Sequence, residues 1–485
     1  MTDLAHNLQT ARTKIVATVG PSSNSRQLLS DLTTLGVDVF RINMAHGSPE
    51  QHAQTVATIH EVSIALHRPV GILADLSGPK IRLGQLAEDP VHCELDAEFF
   101  FIRGKVATRP MELVSNYPHL LDELDIGNRL ALADGTVGLV VEEKQPDHLR
   151  CRVVLPGILR SRQGINLPGV KLSVPSMTHT DLEHARWAAQ QDVDFVGLSF
   201  VRSAADIKRL KDTLHQHGSD AWVVAKIEKP EALENLTSIV LAADVVMVAR
   251  GDLGVETDVA EMPIAQKRII KTCNLHARPV IVATQMLDSM QHSNRPTRAE
   301  ATDVANAILD GADACMLSGE TAIGEFPRES VTMMGQIMQF TEQTLEESSH
   351  SEPVAPPVIG VHPITSATVL GAGVIAKRLH AKLVVLATLS GRSALAKSTQ
   401  RDFVPTIAVS DSPSILRRIT LFWGVTPVLG LSSLSNEDLS AFINEWGSQT
   451  GLLTRGDRVV IVTGSGLVPS ANNQVVVHEV EGVGG

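Results

Sequence analysis

The chain has 485 residues, a formal net charge of −12 at pH 7 and 43% hydrophobic residues. This length suggests about three domains with sizeable cores, and the composition is that of an ordinary globular protein. The acidic balance argues against non-specific binding of nucleic acid, which needs a basic surface. No uncharged apolar run reaches the length of a membrane span, and the N-terminal residues lack the apolar core of a signal peptide.

The four cysteines are scattered and form no Cys-x-x-Cys pair. This usage fits reduced thiols in a cytoplasmic enzyme better than disulfides or a zinc site. We therefore expect a cytoplasmic protein with neither nucleic-acid nor membrane partners.

From residue 13 onward, short apolar runs alternate with helical patterns. Strands are predicted at Thr13–Val19, Val37–Ile42 and Pro69–Leu73, with helices at Ser25–Leu35 and Pro49–Leu66 between them. Strands that alternate with helices are typical of parallel sheets.

The pattern changes between about Lys80 and Pro175. Short strand candidates replace the helices, and Gly- or Pro-rich turns separate them, with Ala133-Asp134-Gly135-Thr136 a clear tight-turn signal. This stretch is interpreted as an inserted all-β domain. Its strand candidates are Glu98–Ile102, Arg129–Leu132, Thr136–Val141 and Leu149–Leu155.

After the insertion the first rhythm resumes with five more strands. Three strands before the insertion and five after it predict a (β/α)8 TIM barrel, whose active site lies at the C-terminal ends of the strands. The five later strands are predicted at Phe195–Ser199, Val223–Lys226, Val245–Val248, Val280–Ala283 and Ala314–Leu317. Polar residues follow nearly every strand: Thr18, Arg41, Asn43, Asp75, Ser199, Lys226, Glu228, Arg250, Asp252, Thr284, Ser318 and Glu320.

The remainder of the chain predicts a separate α/β domain. A Pro-rich segment at 352–357 indicates a linker or domain edge, and strands are predicted at Leu383–Ala387, Thr406–Val409 and Val459–Thr463. Gly371–Ala376 formally matches a dinucleotide-binding fingerprint, but no clear strand precedes it, so we favour a helix rich in small residues. The predicted boundaries are 1–79 and 176–346 for the barrel, 80–175 for the insertion and 347–485 for the C-terminal domain.

Two strand ends carry the most informative charges. Lys226 and Glu228 lie two residues apart and therefore face the same way in an extended strand. A buried structural ion pair would also explain them, but Asp252 follows the next strand. Glu228 and Asp252 supply hard oxygen ligands suited to Mg²⁺ or Mn²⁺.

The remaining charges suit phosphoryl chemistry. Lys226 and Arg41 would neutralise phosphoryl oxygens, and phosphoryl transfer needs mainly positioning and positive charge. The segment Arg250–Gly254, if it begins a helix, offers free backbone N–H groups to an anion such as a carboxylate.

Several long motifs of the chain resemble those of the pyruvate kinase family. The resemblance covers the barrel and the insertion, and more loosely the C-terminal domain. It rests on residues 12–23, 41–47, 78–82, 225–228, 247–256, 283–286, 295–300, 303–313 and 317–321.

The resemblance implies transfer of the phosphoryl group of phosphoenolpyruvate to ADP, which gives pyruvate and ATP in the last step of glycolysis. It implies a homotetramer and an insertion that closes over the site as a lid and excludes water. The implied roles are catalysis by Lys226, Arg41 and Thr284, metal binding by Glu228 and Asp252, carboxylate binding by Gly251, Asp252 and Thr284, and nucleotide binding by Pro21, Asn43, His46 and Arg82.

One departure concerns potassium. Many members hold K⁺ through side-chain oxygens where this chain has Ala45 and Leu76, and they carry a glutamate where it has Lys80. Lost ligand oxygens and a new cation suggest an enzyme that does not require K⁺, with the Lys80 ammonium near Asp75 in place of the ion. The alternative is that Lys80 is a solvated surface residue.

The C-terminal domain contains a loop that resembles the family's effector-phosphate loop. Hydroxyls, a glycine and an arginine make a plausible phosphate cradle, although an ordinary strand-to-helix turn would look similar. The predicted effector is a phosphorylated sugar or nucleotide. The candidate residues are Thr388, Ser390, Gly391, Arg392 and Ser393.

Two other functions remain open at this point. A metal-dependent barrel lyase acting on a pyruvate enolate would also pair a glutamate with an aspartate on Mg²⁺. A catalytically silent metabolite sensor would use only the C-terminal domain, but such a chain would be expected to have lost at least one catalytic residue.

Overall fold

A computed structural model of the chain describes residues 11–348, 358, 360–430, 436–464 and 471–481. It confirms the predicted α/β fold. The first strands are β1 (Lys14–Val19), β2 (Val37–Asn43) and β3 (Gly71–Asp75). The predicted Pro-rich linker at 352–357 lies outside the described residues, and the domain boundaries remain predictions.

The insertion is an all-β domain with its own core, in which Phe99 and Phe101 are fully buried. Its main sheet has the order β11-β7-β8-β9-β5-β6, and β10 and β4 form a second, two-stranded sheet. The strands are β4 (Val91–Cys93), β5 (Glu98–Ile102), β6 (Glu112–Leu113), β7 (Arg129–Leu132), β8 (Val137–Lys144), β9 (His148–Leu155), β10 (Gly157–Leu159) and β11 (Ile165–Asn166), with one short helix at Leu120–Glu123.

Five further strands complete a closed parallel barrel of order β1-β16-β15-β14-β13-β12-β3-β2. The barrel interior is filled by apolar side chains, among them Val16, Leu73 and Phe195. The strands are β12 (Phe195–Leu198), β13 (Trp222–Ile227), β14 (Val245–Ala249), β15 (Val280–Ala283) and β16 (Ala314–Leu317).

The helices around the barrel begin at strong caps. Ser48 with Gln51, for example, forms a reciprocal capping box that satisfies free backbone N–H groups at the start of one helix. The barrel helices are Arg26–Leu35, Pro49–Ala65, His179–Gln190, Ala204–Gln216, Pro230–Glu234, Leu236–Ala242, Arg250–Glu256, Met262–Leu275, Arg298–Leu309, Gly319–Ala322 and Pro327–Ser348, with a 3₁₀ helix at Asp288–Gln291. None of the helices described is long and apolar enough to cross a bilayer.

The C-terminal domain is a five-stranded sheet of order β19-β18-β17-β20-β21, in which β21 is antiparallel to β20. Its strands are β17 (Leu383–Ala387), β18 (Thr406–Ser410), β19 (Val425–Leu429), β20 (Arg458–Thr463) and β21 (Gln474–Glu479). Its helices are Pro363–Arg378, Arg392–Ser398, Pro413–Ile419 and Asn436–Thr450. Gly371–Ala376 lies inside the first of these helices, as predicted, and forms no nucleotide loop.

This domain attaches to the barrel at the N-terminal ends of the strands. Arg417 Nε donates a 2.8 Å hydrogen bond to Asp194, which precedes β12, and Arg401 binds Asp313, which precedes β16, at 2.8 Å. Leu421 of the C-terminal domain belongs to the same buried cluster as the side chains inside the barrel. The opposite end of the barrel, where the predicted catalytic residues lie, therefore faces the insertion.

Candidate active site

Lys226 lies at the centre of the candidate site, near the end of β13. Its ammonium nitrogen lies 2.9 Å from Glu228 Oε1 and 3.3 Å from Asp75 Oδ1, and it donates a 2.7 Å hydrogen bond to Ser199 Oγ. The side chain is 9% exposed. The strand periodicity therefore predicted correctly that Lys226 and Glu228 face the same side.

Arg41 joins this cluster from β2. Its guanidinium binds Asp75 Oδ2 through Nε at 2.7 Å and Nη2 at 2.6 Å, and a third nitrogen donates to Thr18 Oγ1 at 3.1 Å. β2 and β3 pair in parallel with Asn43 opposite Asp75, so the two side chains come from adjacent strands. One buried carboxylate thus holds both predicted phosphoryl-binding cations.

The protonation states follow from this pairing. Burial alone would lower the pKa of Lys226, but attraction from Asp75 and Glu228 outweighs it, and the pKa lies above its usual value. Burial would raise the pKa of Asp75, yet Lys226 and Arg41 hold it below its usual range. Lys226 and Asp75 are therefore ionised at neutral pH.

Glu228 provides the test of whether a cation fits here. Oε2 accepts a 2.8 Å hydrogen bond from the Phe200 backbone N–H, whereas Oε1 is buried and has no aligned hydrogen bond among the described residues. Burial, followed by repulsion from Asp252, raises the pKa of Glu228 despite the nearby Lys226. A buried carboxylate oxygen that faces the Lys226 ammonium and lies near a second carboxylate, Asp252, fits a divalent cation. No cluster of three or more acidic, histidine or cysteine ligands occurs among the described residues, so other oxygens would have to complete the coordination.

The predicted carboxylate-binding residues lie together after β14 and β15. The Gly251 N–H donates a 2.8 Å hydrogen bond to Thr284 Oγ1, whose own hydroxyl donates to the Ala283 carbonyl at 2.6 Å. A Cβ on Gly251 would lie 3.4 Å from Thr284 Oγ1, so the glycine permits this approach. Arg250 fixes the turn because it donates to the Thr284 carbonyl at 2.7 Å and binds Asp303 at 2.6 Å.

A cavity of about 420 Å³ lies between the insertion and the barrel. Asp252, Lys80 and Arg82 line it together with residues 161–167 of the insertion. The other predicted nucleotide residues, Pro21, Asn43 and His46, do not line this cavity. Pro21 follows β1, His46 follows β2, and both are exposed. Asn43 Oδ1 accepts a 3.1 Å hydrogen bond from the Ala45 N–H. The structure therefore brings Arg82, but not the other predicted nucleotide residues, into the cavity with Asp252.

Lys80, the predicted substitute for K⁺, lies at the surface of the molecule. Its side chain is exposed, and within the described part of the chain it makes no ion pair with Asp75. Asp75 is instead neutralised by Arg41 from the neighbouring β2 and by Lys226 from β13, which lies two strands away in the barrel. Replacement of K⁺ by Lys80 remains a prediction.

In the C-terminal domain, the predicted effector loop connects β17 to the helix Arg392–Ser398. Thr388 Oγ1 accepts a 2.9 Å hydrogen bond from the Gly391 N–H, and Gly391 has a φ of 75°. Ser393 Oγ is buried without a hydrogen-bond partner among the described residues. These features fit either a ligand loop or a tight turn.

Sequence reasoning missed one polar set beside the site. Lys229 Nζ donates a 2.6 Å hydrogen bond to Glu256 Oε1, and the Asn166 amide donates to the same oxygen at 3.1 Å. Lys229 directly follows the motif at 225–228, and Glu256 ends the motif at 247–256. No signal in the sequence indicates that Asn166, which is distant from both in the chain, contacts Glu256.

Comparison of the chain with known protein families gives two matches. The model for the barrel domain of pyruvate kinase matches residues 10–331, and the model for its alpha/beta domain matches residues 366–478. The chain belongs to the pyruvate kinase family. Membership of this family decides among the functions that the sequence left open, namely the kinase, the lyase and the metabolite sensor. The chain is a phosphotransferase of the pyruvate kinase type with phosphoenolpyruvate and ADP as substrates.

Individual relatives agree with this assignment. The chain is 42% identical to pyruvate kinase 2 of Synechocystis sp. over 94% of its length and 76% of the relative. It is 41% identical to pyruvate kinase of Mycobacterium intracellulare over 95% of its length and 97% of the relative, and 38% identical to that of Geobacillus stearothermophilus over 93% and 77%.

Proposed function

We propose that this pyruvate kinase uses Lys226, Arg41 and Thr284 for catalysis, holds Mg²⁺ or Mn²⁺ on Glu228 and Asp252, and works without K⁺. The observation that carries the proposal is that Lys226, Asp75 and Glu228 are buried together, with Arg41 bound to Asp75 and with Glu228 Oε1 facing Lys226 without an aligned hydrogen bond.

The substrate is oriented by two groups of residues. The carboxylate of phosphoenolpyruvate is received by the backbone at Gly251–Asp252 and by the Thr284 hydroxyl, which are already joined by a hydrogen bond. The phosphoryl group then lies against Lys226 and Arg41. A bound divalent cation would supply charge neutralisation at the phosphoryl oxygens.

The reaction breaks the bond between phosphorus and the enol oxygen and forms one to a terminal oxygen of ADP. Lys226 stays protonated throughout and stabilises the negative charge on the transferring group. The enolate that remains takes a proton at its methylene carbon on the side of Thr284 and becomes pyruvate. The insertion excludes water, so that ADP rather than solvent receives the phosphoryl group.

Independence from K⁺ is supported by the state of the residues at the expected ion position. Ala45 and Leu76 offer no side-chain oxygen, Asn43 Oδ1 accepts a backbone hydrogen bond, and Asp75 is neutralised by two cations. Lys80 adds a positive charge to the cavity that also contains Asp252. In this proposal Lys80 supplies the charge that an ion supplies elsewhere.

Pyruvate formation from phosphoenolpyruvate, ADP and Mg²⁺, with and without K⁺, tests this function. We expect equal rates in both buffers, and a loss of activity in Lys80→Met that KCl does not restore. Lys105→Met removes another exposed lysine of the insertion and should behave as wild type. Wild-type activity that depends on KCl would overturn K⁺ independence, and no pyruvate under any condition would overturn the reaction.

The remaining parts of the proposal concern regulation and assembly. A phosphorylated sugar or nucleotide activates the enzyme at Thr388, Ser390, Gly391, Arg392 and Ser393; the buried, unpartnered Ser393 hydroxyl supports this assignment. The family resemblance supports a cytoplasmic homotetramer, which analytical ultracentrifugation of the purified enzyme would test.

A further inference from the structure

Among the residues that the structure describes, the insertion makes one side-chain hydrogen bond to the barrel away from the two points where the chain passes between the domains. Asn166, on β11, donates its side-chain amide to Glu256 Oε1 at 3.1 Å. The other hydrogen bonds found between the two domains in the described residues lie at these two points. The Lys80 N–H donates to the Gly78 carbonyl at 2.8 Å, and Arg202 donates to the carbonyls of Leu172 and Val174.

Glu256 is placed to transmit this contact. It is the last residue of the helix Arg250–Glu256, which also carries Gly251 and Asp252. Its side chain is 1% exposed, and the oxygen that accepts from Asn166 also accepts from Lys229 at 2.6 Å. A buried carboxylate needs such partners because an unpaired buried charge is costly.

Lys229 connects the same oxygen to the metal-binding strand end. It follows Glu228 directly in the chain, and its ammonium lies 5.5 Å from the centre of the Phe200 ring. The Phe200 N–H in turn donates to Glu228 Oε2 at 2.8 Å. The contact from the insertion therefore ends on Lys229, which follows Glu228 in the chain, and on Glu256, which lies in the same short helix as Asp252.

A second contact supports the same docking. The turn at 133–136 connects β7 to β8, and β11 pairs with β7 with Asn166 opposite Ala131. A Cβ added at Gly135 would come 3.5 Å from Val255, the neighbour of Glu256. The turn and Asn166 thus rest side by side on the C-terminal end of one short helix.

We infer that Asn166, Glu256 and Lys229 form a latch that holds the insertion on the helix of Gly251 and Asp252, and that Asn166 is a positioning residue for phosphoryl transfer. This inference rests on the proposed function, because it gives the insertion a role as the lid of the active site in that reaction. Closure of the insertion and alignment of the groups that bind the substrate carboxylate and the metal then occur together. Asn166 touches no reacting atom and acts through Glu256.

Replacement of Asn166 by alanine tests the latch. A hydrogen bond to a charged acceptor suggests a loss of about tenfold or more in kcat. The KM for phosphoenolpyruvate should stay within about twofold, since an interaction needed only for the closed state lowers kcat selectively. Asn128→Ala is the matched control, because the Asn128 side chain accepts a hydrogen bond from the Asp125 N–H inside the insertion, and the loss of that bond should leave both constants unchanged.

Two further measurements separate positioning from general damage. Amide hydrogen exchange of the turn at 133–136, in the presence of phosphoenolpyruvate, ADP and Mg²⁺, should be faster in Asn166→Ala than in wild type or Asn128→Ala. In the double variant with Glu256→Gln, the combined loss in kcat should be smaller than the product of the single losses, because both changes weaken one contact.

The outcomes are distinct. Unchanged kcat and unchanged exchange in Asn166→Ala, or a raised KM with normal kcat, would overturn the latch. Wild-type enzyme that forms no pyruvate would overturn the proposed function instead, and the exchange comparison would still report whether Asn166 docks the insertion.

Discussion

Asp75 gives the sharpest test of how the site is held together. Its carboxylate is 1% exposed and binds Arg41 at 2.6 and 2.7 Å and Lys226 at 3.3 Å. Asp75→Asn keeps the shape of the side chain and removes its charge. The buried ammonium of Lys226 then has Glu228 as its remaining carboxylate partner, and the half-buried guanidinium of Arg41 loses its ion pair.

The magnitude follows from these contacts. Breaking a buried ion pair from one side costs about 3–5 kcal/mol, so the free energy of unfolding should fall by about that amount. Loss of one charge-assisted hydrogen bond that orients Arg41 corresponds to about 1.5–3 kcal/mol, or about 10- to 150-fold in kcat/KM for phosphoenolpyruvate. Because Asp75 is the main attraction that raises the pKa of Lys226, that pKa should also fall in the variant.

The assay combines initial rates of pyruvate formation with thermal unfolding of the same samples. Asp194→Asn is the control, since it removes a buried carboxylate that binds Arg417 at 2.8 Å at the opposite end of the barrel. We expect it to keep kcat/KM near the wild-type value. Asp75→Asn with unchanged kcat/KM, or an equal loss of kcat/KM in Asp194→Asn, would refute the view that Asp75 positions the two cations.

Three other predictions concern metal, effector and thiols. Glu228→Gln should raise the Mg²⁺ concentration needed for half-maximal rate at least about tenfold, because a charged ligand worth about 1.4 kcal/mol or more is lost; an unchanged Mg²⁺ titration would contradict the assigned ligand. Arg392→Ala should raise the concentration of phosphorylated effector needed for activation and leave the unstimulated rate intact, whereas unchanged activation would place the effector elsewhere. Burial raises the pKa of Cys93 to about 11, so the native thiol should resist iodoacetamide at pH 8 and react only as the pH approaches that value or after unfolding; rapid native labelling counted by mass spectrometry would contradict this.

The sequence predicted the barrel because most barrel strands are apolar runs of suitable length with a polar residue at or just after their C-terminal end. It missed β19 for an identifiable reason: Pro427 lies inside this strand, and a proline usually argues against a strand. β19 lies at the edge of its sheet, where a missing N–H is tolerated. The two- and three-residue strands of the insertion are too short to give a periodic signal.

The candidate site was predictable where its chemistry is local in the chain. Lys226 and Glu228 are two residues apart, and their shared direction follows from strand geometry. The partners of Asp75 were not predictable, because they depend on which strands are neighbours and on the register between β2 and β3. The contact between Asn166 and Glu256 depends on how two domains dock, which no local pattern contains.

The position of Leu421 has a consequence for protein engineering. This side chain comes from the C-terminal domain, yet it belongs to the apolar cluster inside the barrel, while Arg401 and Arg417 of the same domain bind acidic residues at the strand starts. Truncation before this domain would expose the barrel interior to water and strip Asp194 and Asp313 of these partners. Point substitutions in the proposed effector loop would therefore be a safer way to alter this domain than its removal, since a shortened chain would be prone to aggregation.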